Sequence, residues 1–188
     1  MEQARDAGLR VRQAGPSDLP ALTALRAAAG WGSGGLEGSF AAVAAGRQVI
    51  LVADLDGRAV GTVTATFMPA GTGRARSGHI SDLVVAPRWR RRGIASELLA
   101  AAEEAIHRRG LQGVTLDVDA HNDGAMRLYL GRGYHRLGPA QFPWGPGHTL
   151  LKVLEPDGRP VPASPRGWPA WTHRIRRFLA GDQWPLPR

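Results

Sequence analysis

Between His79 and Gly110 the chain changes its hydrophobic period once, and abruptly. "HISDLVV" (79–85) is a short β-rich run of the kind that forms a buried strand. Four of the five residues from Arg88 to Arg92 are then arginine, and Gly93 follows. From there Ile94, Leu98, Ala102 and Ile106 recur at helical spacing on one face, with Glu97, Glu103 and Arg108 elsewhere. His107, Arg108 and Arg109 sit in the last turn, where cations suit the helix dipole, and Gly110 supplies the stop. A strand that feeds a helix through so short a loop must pack that helix on a sheet, which points to layered α/β architecture.

The rest of the chain alternates in the same way. "LRVRQA" (Leu9–Ala14) reads as a strand. The next segment reads as a helix with Ser17 as N-cap, Leu19, Leu22 and Leu25 on one side and Gly30 at its end. "GWGSGG" (Gly30–Gly35) matches a dinucleotide-binding glycine pattern, but it follows a helix and not a strand, so it is read as a loop. A short helix over about Leu36–Ala45 leads to two β-rich runs joined by Asp56-Gly57, a hairpin signature. A glycine-rich loop (Pro69–Gly78) precedes the "HISDLVV" strand. "GVTLDVDA" is a further strand, Asn122 to Leu130 a helix, and "YHRLG" and "HTLLKVL" two closing strands. The order β-α-α-β-β-β-α-β-α-β-β predicts a mixed sheet flanked by helices, in one principal domain over residues 1–154. From Glu155 the composition changes. Five prolines between Pro156 and Pro169 mark a stiff connector, and Trp171, Ile175, Phe178 and Leu179 share one face of a short amphipathic helix. That tail (155–188) is expected to dock on the domain or on a second subunit, as in a homodimer.

Composition narrows the function classes. The longest aliphatic run, Val49–Ala53, is far shorter than the roughly 20 residues of a membrane span. The first residues mix charges without an apolar centre, so a secretory signal is not expected; no membrane partner is expected either, an interfacial membrane helix being the lesser alternative for the short tail helix. There are no cysteines, which excludes disulfides, thiolate metal sites and a cysteine nucleophile, and fits a cytoplasmic protein. The formal net charge is +8, and every basic residue except Lys152 is arginine, a fork of donors suited to phosphates and carboxylates. Six arginines against three acids in the tail account for +3 of that excess, so the charge is spread and not gathered into one nucleic-acid patch.

The arginine run is better explained by what it precedes. A helix start presents unpaired backbone N–H groups and a partial positive charge, a ready site for an anion. Gly93 lets a bulky ligand approach the backbone, small Ala95 keeps the entrance open, and Arg91 and Arg92 add charge. A pyrophosphate fits this arrangement. A duplex-binding surface would not need the two small residues, and a Walker-type loop lacks its glycine-lysine-Ser/Thr sequence.

These residues resemble the GNAT superfamily of acetyl-CoA-dependent N-acyltransferases. Its cofactor motif, Arg/Gln-x-x-Gly-x-Gly/Ala, is met by Arg90, Gly93 and Ala95, and "LVVAP" (Leu83–Pro87) is similar to the strand end that precedes it. A second block, Asn-x-x-Ala-x-x-Leu-Tyr-x-x-x-Gly-Phe, is matched by Asn122, Ala125, Leu128, Tyr129 and Gly133, with Tyr134 in the Phe place. The resemblance covers about Leu9 to Leu154; Gly30–Phe40, where such enzymes shape the acceptor site, matches nothing specific. It implies a sheet splayed between the "HISDLVV" and "GVTLDVD" strands, with the pantetheine arm of acetyl-CoA in the gap. It further implies backbone pairing of that arm by Leu83, Val84 and Val85. Arg90, Arg91, Arg92, Gly93, Ile94, Ala95 and Ser96 would then surround the pyrophosphate, with Asn122 near the thiol end. Each has a plainer reading: strand core for Leu83 and Val85, solvated surface for the arginines, and an ordinary N-cap for Asn122.

Acetyl transfer to an amine needs a base for the amine, stabilisation of the developing oxyanion and a donor for the departing thiolate. No enzyme nucleophile is required, and neither a Gly-x-Ser-x-Gly elbow nor a His-Glu-x-x-His metal motif occurs. Tyr129 is the candidate acid, since a phenol near pKa ~10 is protonated at neutral pH; its alternative is a core tyrosine. Thr115, Asp117 and Asp119 share one strand face, and Asp117 lies five residues before Asn122, where some relatives of the family carry a carboxylate base. Asp82, His79 or a water relay are its rivals, as is a structural role, and His121 reads as a helix-entry residue. The expected activity is N-acetylation of a primary amine, in a small molecule or a peptide, without a metal. A non-catalytic acyl-CoA-binding module and a nucleic-acid-binding protein are the alternatives. The second lacks the aromatic-interleaved strands or recognition helix that nucleic acid requires.

Overall fold

The computed structural model describes residues 8–30, 35–67 and 77–154. Tail positions Trp171, Ile175, Phe178 and Leu179, and most of the loop at Gly30–Gly35, lie outside the described residues. Two compact units are present. The first is the described part of Met1–Phe67 with His79–Arg109, and the second the described part of Met68–Gly78 with Gly110–Arg188.

In the first unit four strands run in the order β1 (Leu9–Gln13), β2 (Gln48–Leu55), β3 (Arg58–Phe67) and β4 (Ser77–Val85). Antiparallel β2 and β3 are joined by the two-residue turn Asp56-Gly57, with φ of 49° and 81°, and the Gly57 N–H donates to Asp54 Oδ1 at 2.8 Å. Three helices cover these strands: α1 (Leu19–Ala28), α2 (Leu36–Ala44) and α3 (Ile94–Arg108). Leu22, Leu25 and Leu36 pack with Ile50 and Val52 on one face of β2. On the opposite face Ala53 pairs with Gly61, and a Cβ on Gly61 would stand only 2.9 Å from Leu98 Cδ1 and 3.0 Å from the Val84 carbonyl. The missing side chain is what lets α3 lie directly on β3. Helices on both faces explain why "VILVA" is a continuous apolar run and not an alternating one.

α3 buries Ile94, Leu98, Ala102 and Ile106, as the spacing predicts, at about 1.5–3 kcal/mol for each large side chain. Leu99 and Glu103 are buried as well. Glu103 therefore does not lie away from the core as expected; it stands one turn after Leu99, so the buried stripe is wider than a four-residue count suggests. Ser17 is not the cap of α1. Pro16–Asp18 form a short 3-10 turn, and Asp18 precedes the helix with its carboxylate turned back to accept the Gly15 N–H at 2.8 Å. Arg12 holds it there: its two Nη atoms donate to Asp18 at 2.8 Å while Nε donates to buried Asp54, also at 2.8 Å. One guanidinium thus joins β1, the start of α1 and the β2–β3 turn. Both carboxyls are held below their usual range, first of all by this hydrogen bonding to Arg12.

In the second unit the strand order is β5 (Gly113–Asp119), β7 (Gly145–Val153) and β6 (His135–Phe142), with β7 antiparallel to both β5 and β6, and α4 (Asp123–Gly131) between β5 and β6 in sequence. β6 and β7 are longer than the sequence suggests and form a tight hairpin at Pro143-Trp144. Pro139 lies inside β6, which borders only β7 within this unit, so its missing N–H costs no pairing on the other side. Phe142 and Trp144 stack at the tip, 4.7 Å between centroids, and Trp144 is exposed. Lys152 is buried in β7, its ammonium 5.6 Å from the Tyr134 ring centroid. No helix among the described residues is long and apolar enough to cross a membrane.

Candidate active site

The candidate phosphate site lies wholly in the first unit. Pro87–Trp89 make one 3-10 turn after β4, Arg90 is extended, and α3 begins at Ile94 with Gly93 as its N-cap. Two left-handed residues, Arg91 (φ 65°) and Gly93 (φ 84°), bend this loop. The second position suits glycine; the first carries real backbone strain in an arginine. The Gly93 carbonyl accepts from Ser96 N at 2.8 Å and from Glu97 N at 3.1 Å, so the N–H groups of Ile94 and Ala95 have no acceptor within the helix. A Cβ on Gly93 would meet nothing within 4 Å. That open space lies at a positive helix end, and Arg90, Arg91 and Arg92 around it are exposed.

The arginines are not equivalent. Arg90 Nε donates to the Val85 carbonyl at 3.1 Å, tying the loop back to β4. The Arg92 guanidinium lies over the Trp89 ring at 4.6 Å from its centroid, and that of Arg88 at 5.6 Å. Ile94 is buried, whereas Ala95 and Ser96 are half-buried on the first turn. Leu83 is half-buried, and Val84 and Val85 are buried strand residues. Asp82 carries φ 54° inside β4, and its Oδ1 accepts from Arg26 Nη1 on α1 at 2.9 Å. The carboxylate of this candidate base is thus held in an ion pair.

The remaining candidates lie in the second unit. Asp117 is half-buried and opposite Thr149 in the β5–β7 register, and Thr149 Oγ1 donates to its Oδ1 at 2.6 Å. Asn122 caps α4: its Oδ1 accepts from Ala125 N at 3.0 Å. The cap reading of Asn122 is therefore realised, with the side-chain amide NH₂ still able to donate to a ligand. His121 is exposed at the helix entry, its backbone N–H bonded to Asp119 Oδ1 at 2.7 Å. Tyr129 is buried, its ring 5.8 Å from that of Tyr134 and tilted by 60°. Burial pushes its phenol up to about 12, with no hydrogen bond or charge contributing. Arg26 and Thr149, the partners of the two candidate carboxylates, are not apparent in the sequence; only strand register and helix docking pair them.

A family model describing the acetyltransferase (GNAT) family matches residues 25–134, more than half of the chain. The chain belongs to the GNAT family. It is 38% identical over 121 residues to the N-alpha-acetyltransferase MAK3 of Arabidopsis thaliana, covering 63% of this chain and 62% of that protein. The chain spans about three-fifths of the length of the curated relatives it matches. Among solved structures, the ribosomal-protein-alanine N-acetyltransferase of Brucella melitensis aligns with a TM-score of 0.66 at 24% identity, over 77% of this chain and 99% of that one. The acetyltransferase yncA of Salmonella typhimurium, a structure described with its cofactor acetyl-CoA, aligns with a TM-score of 0.67 at 17% identity, over 86% of this chain and 100% of that one. These likenesses show the fold, the mixed-sheet α/β fold of the GNAT family.

Proposed function

We propose that this GNAT protein transfers an acetyl group from acetyl-CoA to a primary amine. The observation that carries the reading is the open, positively charged start of α3 at Gly93, immediately after the Leu83–Val85 strand end. In this reading the N–H groups of Ile94 and Ala95, with Arg91, Arg92 and Ser96, hold the pyrophosphate, and Arg90 keeps the loop on β4. Leu83, Val84 and Val85 offer backbone groups to the pantetheine arm, and the Asn122 amide donates near its thiol end. Asp117 takes the amine proton, since the Asp82 carboxylate is engaged by Arg26. The nitrogen attacks the thioester carbonyl, the C–N bond forms as the C–S bond breaks, and Tyr129 offers its hydroxyl to the departing sulfur.

The acceptor we propose to test first is a protein α-amino group, because two of the similar proteins are named for that chemistry; small amines come second. Residues 1–154 are proposed as the catalytic part, in a cytoplasmic setting, with residues 155–188 proposed to dock on that domain or on a second subunit. Thiol release from acetyl-CoA, followed against pooled peptide and small-amine acceptors, tests the reading. Turnover with at least one pool is expected. Coenzyme A binding without turnover on any acceptor would leave a non-catalytic acyl-CoA module, and absence of binding would remove the reading.

A further inference from the structure

β4 contains an irregularity in its interior, and α1 holds it. Asp82 adopts φ 54°, in the left-handed region that an L-residue rarely occupies and that costs about 1–3 kcal/mol. The alternation of the strand fails at this point. Ser81, Asp82 and Leu83 are all half-buried, and Val84 and Val85 are both buried. A left-handed residue inside a strand bends it and re-aims the groups that follow. The three residues that follow are Leu83, Val84 and Val85. The Asp82 carboxylate, meanwhile, accepts from Arg26 Nη1 at 2.9 Å, and both side chains are largely sheltered, with exposures of 12% for Arg26 and 24% for Asp82. A sheltered, charge-assisted hydrogen bond is a firm tether, unlike a surface ion pair. Arg26 belongs to a helix otherwise held by Leu22 and Leu25 in the core, so the tether has a fixed end.

We infer that Arg26 is a positioning residue for coenzyme binding: by gripping Asp82 it fixes the bend of β4 and so aims the backbone of Leu83–Val85 at the pantetheine arm. The inference rests on the proposed acetyl-CoA site. It gives Asp82 a part that needs its charge but not its basicity, and it separates the two halves of the ligand. The pantetheine half depends on Arg26. The phosphate half depends on the α3 start.

Calorimetry on the full chain with coenzyme A and with 3′-phosphoadenosine 5′-diphosphate, which keeps the pyrophosphate but lacks pantetheine, separates them. Arg26→Met is expected to weaken coenzyme A about tenfold while leaving the nucleotide within about twofold of wild type. Arg26→Lys restores part of the loss, because an ammonium can still reach the carboxylate. Asp82→Asn, whose side chain tolerates the left-handed backbone, reproduces the Arg26→Met pattern and serves in its place if that variant does not fold. The inference is overturned if folded Arg26→Met binds coenzyme A as wild type does, or if both ligands weaken equally, which marks general loosening. A wild-type protein that binds neither ligand overturns the proposed function itself, before any variant is made.

Discussion

Replacing Tyr129 with phenylalanine removes one oxygen and keeps the buried ring against Tyr134, so the fold and coenzyme A affinity are expected to stay as they are. The size of the kinetic effect follows from burial. The phenol is pushed up to about 12, whereas a thiol leaving group sits near ~8.5. Complete proton transfer from one to the other is uphill by about 3.5 units, or about 4.8 kcal/mol at ~1.36 kcal/mol per unit. Tyr129 is therefore expected to act by donating a hydrogen bond as the C–S bond breaks. Such a bond to a charged atom contributes about 1.5–3 kcal/mol, so kcat of Tyr129→Phe should fall roughly 10- to 150-fold. Full general-acid catalysis would instead be expected to cost about 10²–10⁴-fold. An ordinary phenol would also give wild-type activity an alkaline limb near pH ~10 that the variant lacks. With the raised value, no limb from Tyr129 should appear below pH ~11. Stability carries the same signature. The folded value lies above the unfolded one, so the unfolded chain ionises first, and wild type should lose about 2–3 kcal/mol relative to Tyr129→Phe between pH ~10 and ~12. Steady-state kinetics from pH 6 to 10.5, with coenzyme A affinity measured alongside, decides the matter. A wild-type limb near pH 9–10 that vanishes in the variant would refute the reasoning from burial, and an unchanged kcat would remove Tyr129 from the mechanism.

Three further outcomes are expected. Arg12→Met strands buried Asp54 and frees Asp18; because the guanidinium is 35% exposed, the loss should be about 2–3 kcal/mol, below that of a fully buried pair, and read as a lower Tm. Both carboxyls have lowered folded values, so this contribution is complete above pH ~4 and fades as pH falls through them. The Tm of the variant should accordingly approach that of wild type in acid, and a constant gap would contradict the assignment. Gly93→Glu should abolish coenzyme A binding, while Gly93→Ala, which carries the same backbone strain at φ 84° without the charge, should keep most of it; equal losses would mean that strain, and not occupancy, is being measured. Gly61→Ala places a methyl 2.9 Å from Leu98 and 3.0 Å from the Val84 carbonyl, so thermal melts should show about 1–3 kcal/mol of destabilisation, and an unchanged Tm would refute the close approach of α3 to β3.

Much of this was readable from residue order because the relevant signals are local. Asp56-Gly57 between two β-rich runs, and Gly93 between a strand and an amphipathic helix, each state their geometry within a few residues. Asn122 reads as a cap for the same reason, and its Oδ1 does cap α4. What was hidden depends on contacts distant in sequence. Ser17 looked like the cap of α1, but Arg12, whose other partner is Asp54, draws Asp18 into that position. The left-handed turn at Asp82 is only faintly marked: aspartate is uncommon in strands and tolerates positive φ, but the residue order alone does not fix the bend there. Its partner Arg26 lies 56 residues away on a helix. Pro139 obscures the full length of β6, a strand that it interrupts only on its outer side. The shift at Tyr129 likewise comes from burial, which a residue pattern implies only in direction.

Lys152 is the sole lysine of the sequence, and it is buried in β7 beneath the Tyr134 ring. The outer surface therefore offers no lysine amine, and the guanidinium groups that replace it stay protonated and do not accept acyl groups under ordinary conditions. Acyl donors that modify proteins spontaneously at alkaline pH will find no exposed lysine side chain on this one, so label on the catalyst in a turnover assay would report its α-amino group and not a surface lysine. The same property sets practical limits. Amine-directed reagents will couple to the native chain at its α-amino group and not at a lysine, and uptake of such a reagent at Lys152 would itself report that β7 has opened.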